Sequence, residues 1–169
     1  MSNFLIKNRQ LTSHEIDLVI NAIKRTPNIT GYAKKEWEKF GSIFVAEVNS
    51  ELAGVAVNIS ISKEWEELAV LLVLEKFRGN GLGKSLFNIA LEDIKTRNKN
   101  AYTTSRNPIV LKLMKENGFQ FLSLLKLPLP VTLFNLKFIC SFYRLSEFLR
   151  KQKVFPGQSE FEYGVRWKG

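Results

Sequence analysis

The chain has 169 residues, 45% of them hydrophobic and 24% charged, with a mean hydropathy of -0.09. This is the composition of one globular domain able to bury a core without disulfide staples, and it excludes disordered and fibrous classes. Lys and Arg number 25 against 16 Asp and Glu, a net charge of +9. The excess is uneven: residues 1–69 carry 8 basic and 9 acidic groups, residues 70–169 carry 17 and 7. A basic half suits an anionic ligand such as a phosphorylated cofactor or a nucleic acid, and it equally suits a soluble protein that is merely basic.

The single cysteine, Cys140, excludes an internal disulfide framework. One Cys with one His, His14, supplies no Cys/His zinc set, so no metal is expected. No basic-then-apolar leader opens the chain. The uncharged run from Leu127 to Leu136 contains Pro128 and Pro130 and is too short to span a bilayer. A cytoplasmic location is expected.

Phe4, Ile6 and Leu11 frame a first strand. Thr12-Ser13-His14-Glu15 has the spacing of a capping box before Ile16, Val19, Ile20 and Ile23, so a helix follows and ends at Pro27. Residues 30–40 suggest a second helix anchored by Tyr32, Trp37 and Phe40. Ser42 to Val48 and Leu52 to Ser62 read as strands joined by a turn at Asn49-Ser50-Glu51. Leu68 to Leu74 is a continuous apolar run, as expected of a strand covered on both faces. A helix from Leu82 to about Lys95 follows, with Leu86, Ile89, Ala90 and Ile94 inward.

Ala101 to Ser105 reads as a strand, and Pro108 to Glu116 as a helix closed by Asn117-Gly118. Phe119 to Leu127 and Glu160 to Trp167 are the last strand candidates. Between them Val131 to Lys151 reads as one helical segment. Its apolar stripe is Phe134, Phe138, Phe142, Leu145 and Leu149, with Tyr143, Arg144, Glu147 and Lys151 turned away. One α+β domain over residues 1–169 is expected, with an apolar helical insert at about 128–156.

The glycine-rich segment Arg78-Gly79-Asn80-Gly81-Leu82-Gly83-Lys84 is the most informative. It joins a buried strand to a helix start, where free N–H groups and the helix dipole favour a phosphate. Glycines admit close approach and left-handed angles, and Arg78 and Lys84 add positive charge. The spacing fits neither a Walker loop nor a dinucleotide fingerprint. A plain turn without a ligand is the alternative.

With its surroundings the segment resembles the GNAT superfamily of acyl-CoA N-acyltransferases, whose cofactor motif is R/Q-x-x-G-x-G/A. Arg78, Gly81 and Gly83 match it, and Asn107 followed by Gly118-Phe119 resembles the family's later N…GF segment. The resemblance covers roughly residues 3–125 and resumes at the last strand. It implies a central mixed sheet flanked by helices and split where the cofactor enters. It also implies acetyl transfer from acetyl-CoA (coenzyme A as co-substrate) to a primary amine. Backbone N–H groups from Gly79 to Lys84 would hold the pyrophosphate, Leu72, Val73 and Leu74 would pair with the pantetheine arm, and Asn107 would contact it. Asn107 also reads as an N-cap.

A strand carboxylate often takes the amine proton in this family, and Glu67 lies near that place, with Glu64 and Glu66 beside it. The usual acid, a tyrosine seven residues after the asparagine, is Met114 here, and a thioether cannot donate a proton. Tyr102, Tyr143 and Tyr163 are substitutes that no motif places. A non-catalytic acyl-CoA-binding sensor or scaffold therefore stands beside the enzyme reading. Cys140 reads as a buried structural thiol and His14 as a surface residue. Three readings stay open for the insert: a helix covering the sheet or a homodimer surface, an apolar wall for the acceptor or acyl chain, and a membrane-surface helix. A small-molecule or peptide amine is the expected partner, and no nucleic acid is expected.

Overall fold

The structure, a computed structural model, describes residues 4–139 and 141–169. Cys140 lies outside them, as does the side chain of Phe138. In chain order the elements are β1 (Phe4–Asn8), α1 (Ser13–Lys24), α2 (Lys34–Trp37), β2 (Ser42–Val48), β3 (Glu51–Ser60), β4 (Trp65–Val73), α3 (Leu82–Thr96), β5 (Asn100–Ser105), α4 (Pro108–Glu116), β6 (Gln120–Leu122), α5 (Leu129–Ile139), α6 (Phe142–Val154) and β7 (Glu162–Arg166). The seven strands form one sheet in the order β1-β2-β3-β4-β5-β7-β6. Every neighbouring pair is antiparallel except β4 and β5. That parallel pair needs a crossover, and α3 supplies it.

Alternation along the strands gives the sheet two apolar faces. On one, Phe44, Ala46, Ala56 and Leu68 pack beneath α3 and α4 through Leu86, Phe87, Ala90, Leu91 and Met114. On the other, Ile43, Val45, Val55, Val57, Val70 and Leu72 receive Ile16, Val19 and Ile23 of α1, together with Trp37. The first-helix reading holds in detail: Thr12 Oγ1 accepts from Glu15 N–H at 3.2 Å, and Glu15 Oε2 accepts from Thr12 N–H at 2.8 Å.

Several expectations change. The first strand ends at Asn8, leaving Leu11 as a buried loop residue, and the second helix shrinks to Lys34–Trp37. Ile89, expected inward, is half-exposed on α3. The strand expected over Phe119–Leu127 stops at Leu122 and passes into a 3-10 turn at Leu124–Lys126, since β6 pairs with β7 only through Gln120–Leu122.

The insert is two helices, and the second is turned opposite to the expected stripe. Leu145, Leu149 and Phe142 are exposed, whereas Glu147 and Lys151 are buried. Lys151 Nζ donates to three carbonyls, those of Ile23, Thr26 and Ile29, each at 2.6 Å. They lie at the end of α1 and in the loop that follows it, and Ile23 O also accepts from Thr26 N–H at 3.2 Å. Arg150 in turn clasps Glu147 and donates to Lys24 O. Capping a distant helix end fixes the face of α6, and periodicity in α6 alone carries no trace of that demand.

Candidate active site

Strands β4 and β5 pair only from Trp65 to Glu67 against Asn100 to Tyr102, and beyond that they part. Two features hold the split open. On the β3 side, Val57 pairs with Val70 and Asn58 with Leu68, so Ala69 is an extra residue that bends β4. On the β5 side, Thr103 Oγ1 donates to Leu68 O at 2.8 Å where the ladder ends. The result is a cleft of about 880 Å³ that runs from the glycine-rich turn past β4 to the insert.

The cofactor-side candidates cluster at one end. Arg78, Gly79, Gly81, Leu82, Gly83, Lys84 and Asn107 line the cleft with Leu72 and Val73, whereas Asn80 and Leu74 do not. Gly79 and Gly81 have φ of +85° and +77°, and a Cβ built at either meets nothing within 4 Å. These glycines are kept for backbone angle, with open space before them. Gly81 is the N-cap of α3, and the first bond of that helix runs from Ser85 N–H to Gly81 O. Among the described residues the N–H groups of Gly79 to Lys84 have no backbone partner. The first turn also holds no acidic residue. A row of unpaired donors at a helix start suits a pyrophosphate.

Along β4 the ladder sorts the polar groups. Leu74 N–H is spent on Ala53 O at 2.9 Å, and Leu72 O faces Gly54, so both turn toward β3. By alternation, Leu71 and Val73 direct theirs to the open edge. Arg78 Nε donates to Val73 O at 3.2 Å and lays that side chain across the strand end. Asn107 caps α4, accepting from Ile109 N–H at 2.9 Å, while also lining the cleft.

At the other end the three neighbouring glutamates separate. Glu64 sits on the turn and reaches Lys168. Glu66 points to the α3 face, where Arg97 holds it at 2.7 Å. Only Glu67 enters the cleft, because successive strand residues face opposite ways. Glu64 and Glu66, neighbours of Glu67 in sequence, thus lie outside the cleft that Glu67 lines.

Glu67 is 8% exposed, and its Oε2 has no hydrogen-bond partner among the described residues. Burial raises its pKa from the ordinary 4.5 to about 7, although the charge of Arg144 pulls it down. Tyr32 and Tyr102, both buried on the cleft wall, are pushed well above the usual tyrosine range by burial and by the Glu67 charge. The Tyr102 hydroxyl accepts from Asn135 Nδ2 at 3.0 Å, which ties β5 to α5.

Met114 is fully buried and does not line the cleft. A Cβ built at Gly164 would lie 2.3 Å from Met114 Cε, so glycine on β7 makes room for this thioether in the core. Of the three tyrosines weighed as substitutes, Tyr102 and Tyr163 line the cleft and Tyr143 does not. The sequence reading missed Tyr32, Asn135 and Arg144 as cleft residues. Arg144 stacks over the Tyr32 ring at 4.5 Å and pairs with Glu36, 108 positions away. Tyr32 carried only an anchor's signal, and no local pattern marks a contact of that separation.

A family model described as "Acetyltransferase (GNAT) family" matches residues 16–119. Among curated proteins no sequence match is found. Solved structures are similar in fold. An acetyltransferase from Streptococcus agalactiae superposes with a TM-score of 0.67 at 14% identity, covering 99% of each chain. A Mycobacterium tuberculosis protein in complex with CoA gives 0.68 at 12% identity, over 96% of this chain and 98% of that one. N-acetylglutamate synthase from Neisseria gonorrhoeae, complexed with coenzyme A and N-acetyl-glutamate, gives 0.66 at 18% identity and 96% coverage of this chain. This chain spans only 35% of the Neisseria enzyme. At such identities the superpositions establish the fold, and the family match extends over more than half of the sequence. On that match the chain belongs to the GNAT family of acetyltransferases.

Proposed function

We propose that the chain is an N-acyltransferase that carries an acetyl group from acetyl-CoA to a primary amine by direct attack. One observation carries this reading: a single cleft joins unpaired N–H groups at the start of α3 to the orphaned, buried carboxylate of Glu67. In this reading Arg78, Gly79, Asn80, Gly81, Leu82, Gly83 and Lys84 hold the pyrophosphate through backbone donors and two cations. The strand segment Leu72–Leu74 flanks the pantetheine arm, and the edge-facing groups of Leu71 and the N–H of Val73 are the ones available to it, Val73 O being engaged by Arg78. Asn107 contacts the same arm from the start of α4. When bound, acetyl-CoA supplies an acyl group activated as a thioester.

Glu67 is the base. A pKa near 7 leaves it partly ionised at neutral pH, where it withdraws a proton from the incoming amine. Tyr102 and Tyr163 stay protonated because their pKa values are raised, and they are the hydroxyl donors on the cleft wall for a departing thiolate. A second reading, a module that binds acyl-CoA without turnover, draws on Met114, which removes the family's usual acid and points into the core.

Calorimetric titration with acetyl-CoA, CoA and 3'-dephospho-CoA, beside an Arg78→Ala/Gly81→Val variant, tests the donor site. Thiol release across a panel of amines then separates the two readings. Binding lost in the variant with turnover of an amine supports the transferase. Binding without turnover of any amine favours the sensor, and absence of binding at millimolar ligand refutes both.

A further inference from the structure

Helix α5 is apolar around nearly its whole circumference. One side meets the core, through buried Val131 and through Asn135 bonded to Tyr102. The opposite side places Leu129, Leu133 and Leu136 in one stripe, at intervals of four and three residues, and all are exposed, Leu129 at 70%. Leu125, at 99%, precedes that stripe on the 3-10 turn, and Phe142, at 86%, follows it at the start of α6. A run of large apolar side chains facing water marks a contact surface.

The ionic groups of this segment decide what it contacts. From residue 117 to residue 146 the sequence contains no Asp or Glu. Its cations are Lys126 and Lys137, both exposed beside the leucines, and Arg144, which is engaged with Glu36. A second copy docked on this face would bring lysines against lysines, with no acid in the segment to offset them. Anionic lipid headgroups supply that offset, and acyl chains accept the leucines. Among the described residues no helix is long and apolar enough to cross a membrane.

We propose that the face formed by the 3-10 turn, α5 and the start of α6 docks the protein on an anionic membrane surface, with Leu125, Leu129, Leu133, Leu136 and Phe142 inserted and Lys126 and Lys137 at the headgroups. Leu124 and Leu145 are exposed and also line the cleft, so docking sets the acceptor end of the cleft at the lipid surface. The proposal stands apart from the acyl-transfer reading, because vesicle binding and CoA binding are measured separately.

Sedimentation with phosphatidylcholine vesicles containing about one-quarter phosphatidylglycerol, against pure phosphatidylcholine, tests it. The protein is expected to bind the anionic vesicles and to release as salt rises. A Leu125→Glu/Leu129→Glu variant is expected to partition at least about tenfold more weakly with its unfolding midpoint retained. A Phe142→Trp variant is expected to shift its emission to the blue on mixing by more than the native protein with its three tryptophans, and the difference reads insertion at that position. No binding to anionic vesicles, or a Phe142→Trp emission that moves no further than the native protein's, overturns the proposal. Equal binding by the double-glutamate variant reduces the contact to general adsorption of a basic protein. A solution dimer that this variant dissociates, without vesicle binding, assigns the face to a second copy and overturns it as well.

Discussion

Replacing Glu67 by Gln should weaken activity and, at neutral and higher pH, strengthen the fold. In the folded state the Glu67 carboxyl titrates near 7 rather than at its ordinary 4.5, because burial penalises its charge more than Arg144 relieves it. Each tenfold change in proton affinity is about 1.4 kcal/mol, so the full displacement corresponds to about 3 kcal/mol. The sign follows from linkage: a carboxyl with a raised folded pKa favours folding fully below 4.5, and that contribution is lost as pH rises through about 7. Glu67→Gln has no proton to lose. Relative to the native protein it should gain up to about 3 kcal/mol above neutrality and nothing at about pH 4.5. Urea unfolding of both proteins across this range measures the difference directly. A stability difference that stays constant with pH, or grows toward acid, would refute the buried-charge account. In the same variant transfer should fall by about 10²- to 10⁴-fold, the usual worth of a positioned base, and native kcat/KM should decline as pH drops below about 7.

Gly81→Ala should cost about 1–2 kcal/mol from the left-handed angle alone, since no atom obstructs the added Cβ, and should weaken CoA binding in a calorimetric titration. Gly54→Ala is a different case. Its Cβ would lie 2.6 Å from the Leu72 carbonyl, so it should push β4 toward the cleft, lower stability by about 1–3 kcal/mol and weaken CoA binding, as read by urea unfolding and titration. Gly164→Ala should cost only about 1 kcal/mol in urea, because the atom it meets is the methyl end of the flexible Met114 side chain. Lys151→Met should cost about 3 kcal/mol, because three carbonyls, one buried and two part-buried, lose a shared charged donor, and hydrogen exchange should then rise in α6 and in the loop after α1.

Short-range signals along the chain specify the local parts of the fold. The capping box at Thr12, the proline and asparagine that start α4, and the glycines before α3 each act over a few residues, so their signals are complete within a short window. The family motif is legible for the same reason, since backbone angle and charge from Arg78 to Lys84 are specified within one short segment. Glu67 was also within reach, although strand alternation was needed to part it from Glu66. Features that depend on distant partners are settled by packing between segments. Lys151 turns α6 over because its ammonium reaches carbonyls at the end of α1 and in the following loop, more than a hundred positions earlier. Met114 sinks into the core because Gly164, fifty residues on, leaves it space. Arg144 and Tyr32 become cleft neighbours for a like reason: their contact is satisfied between segments, and no pattern within either segment encodes it.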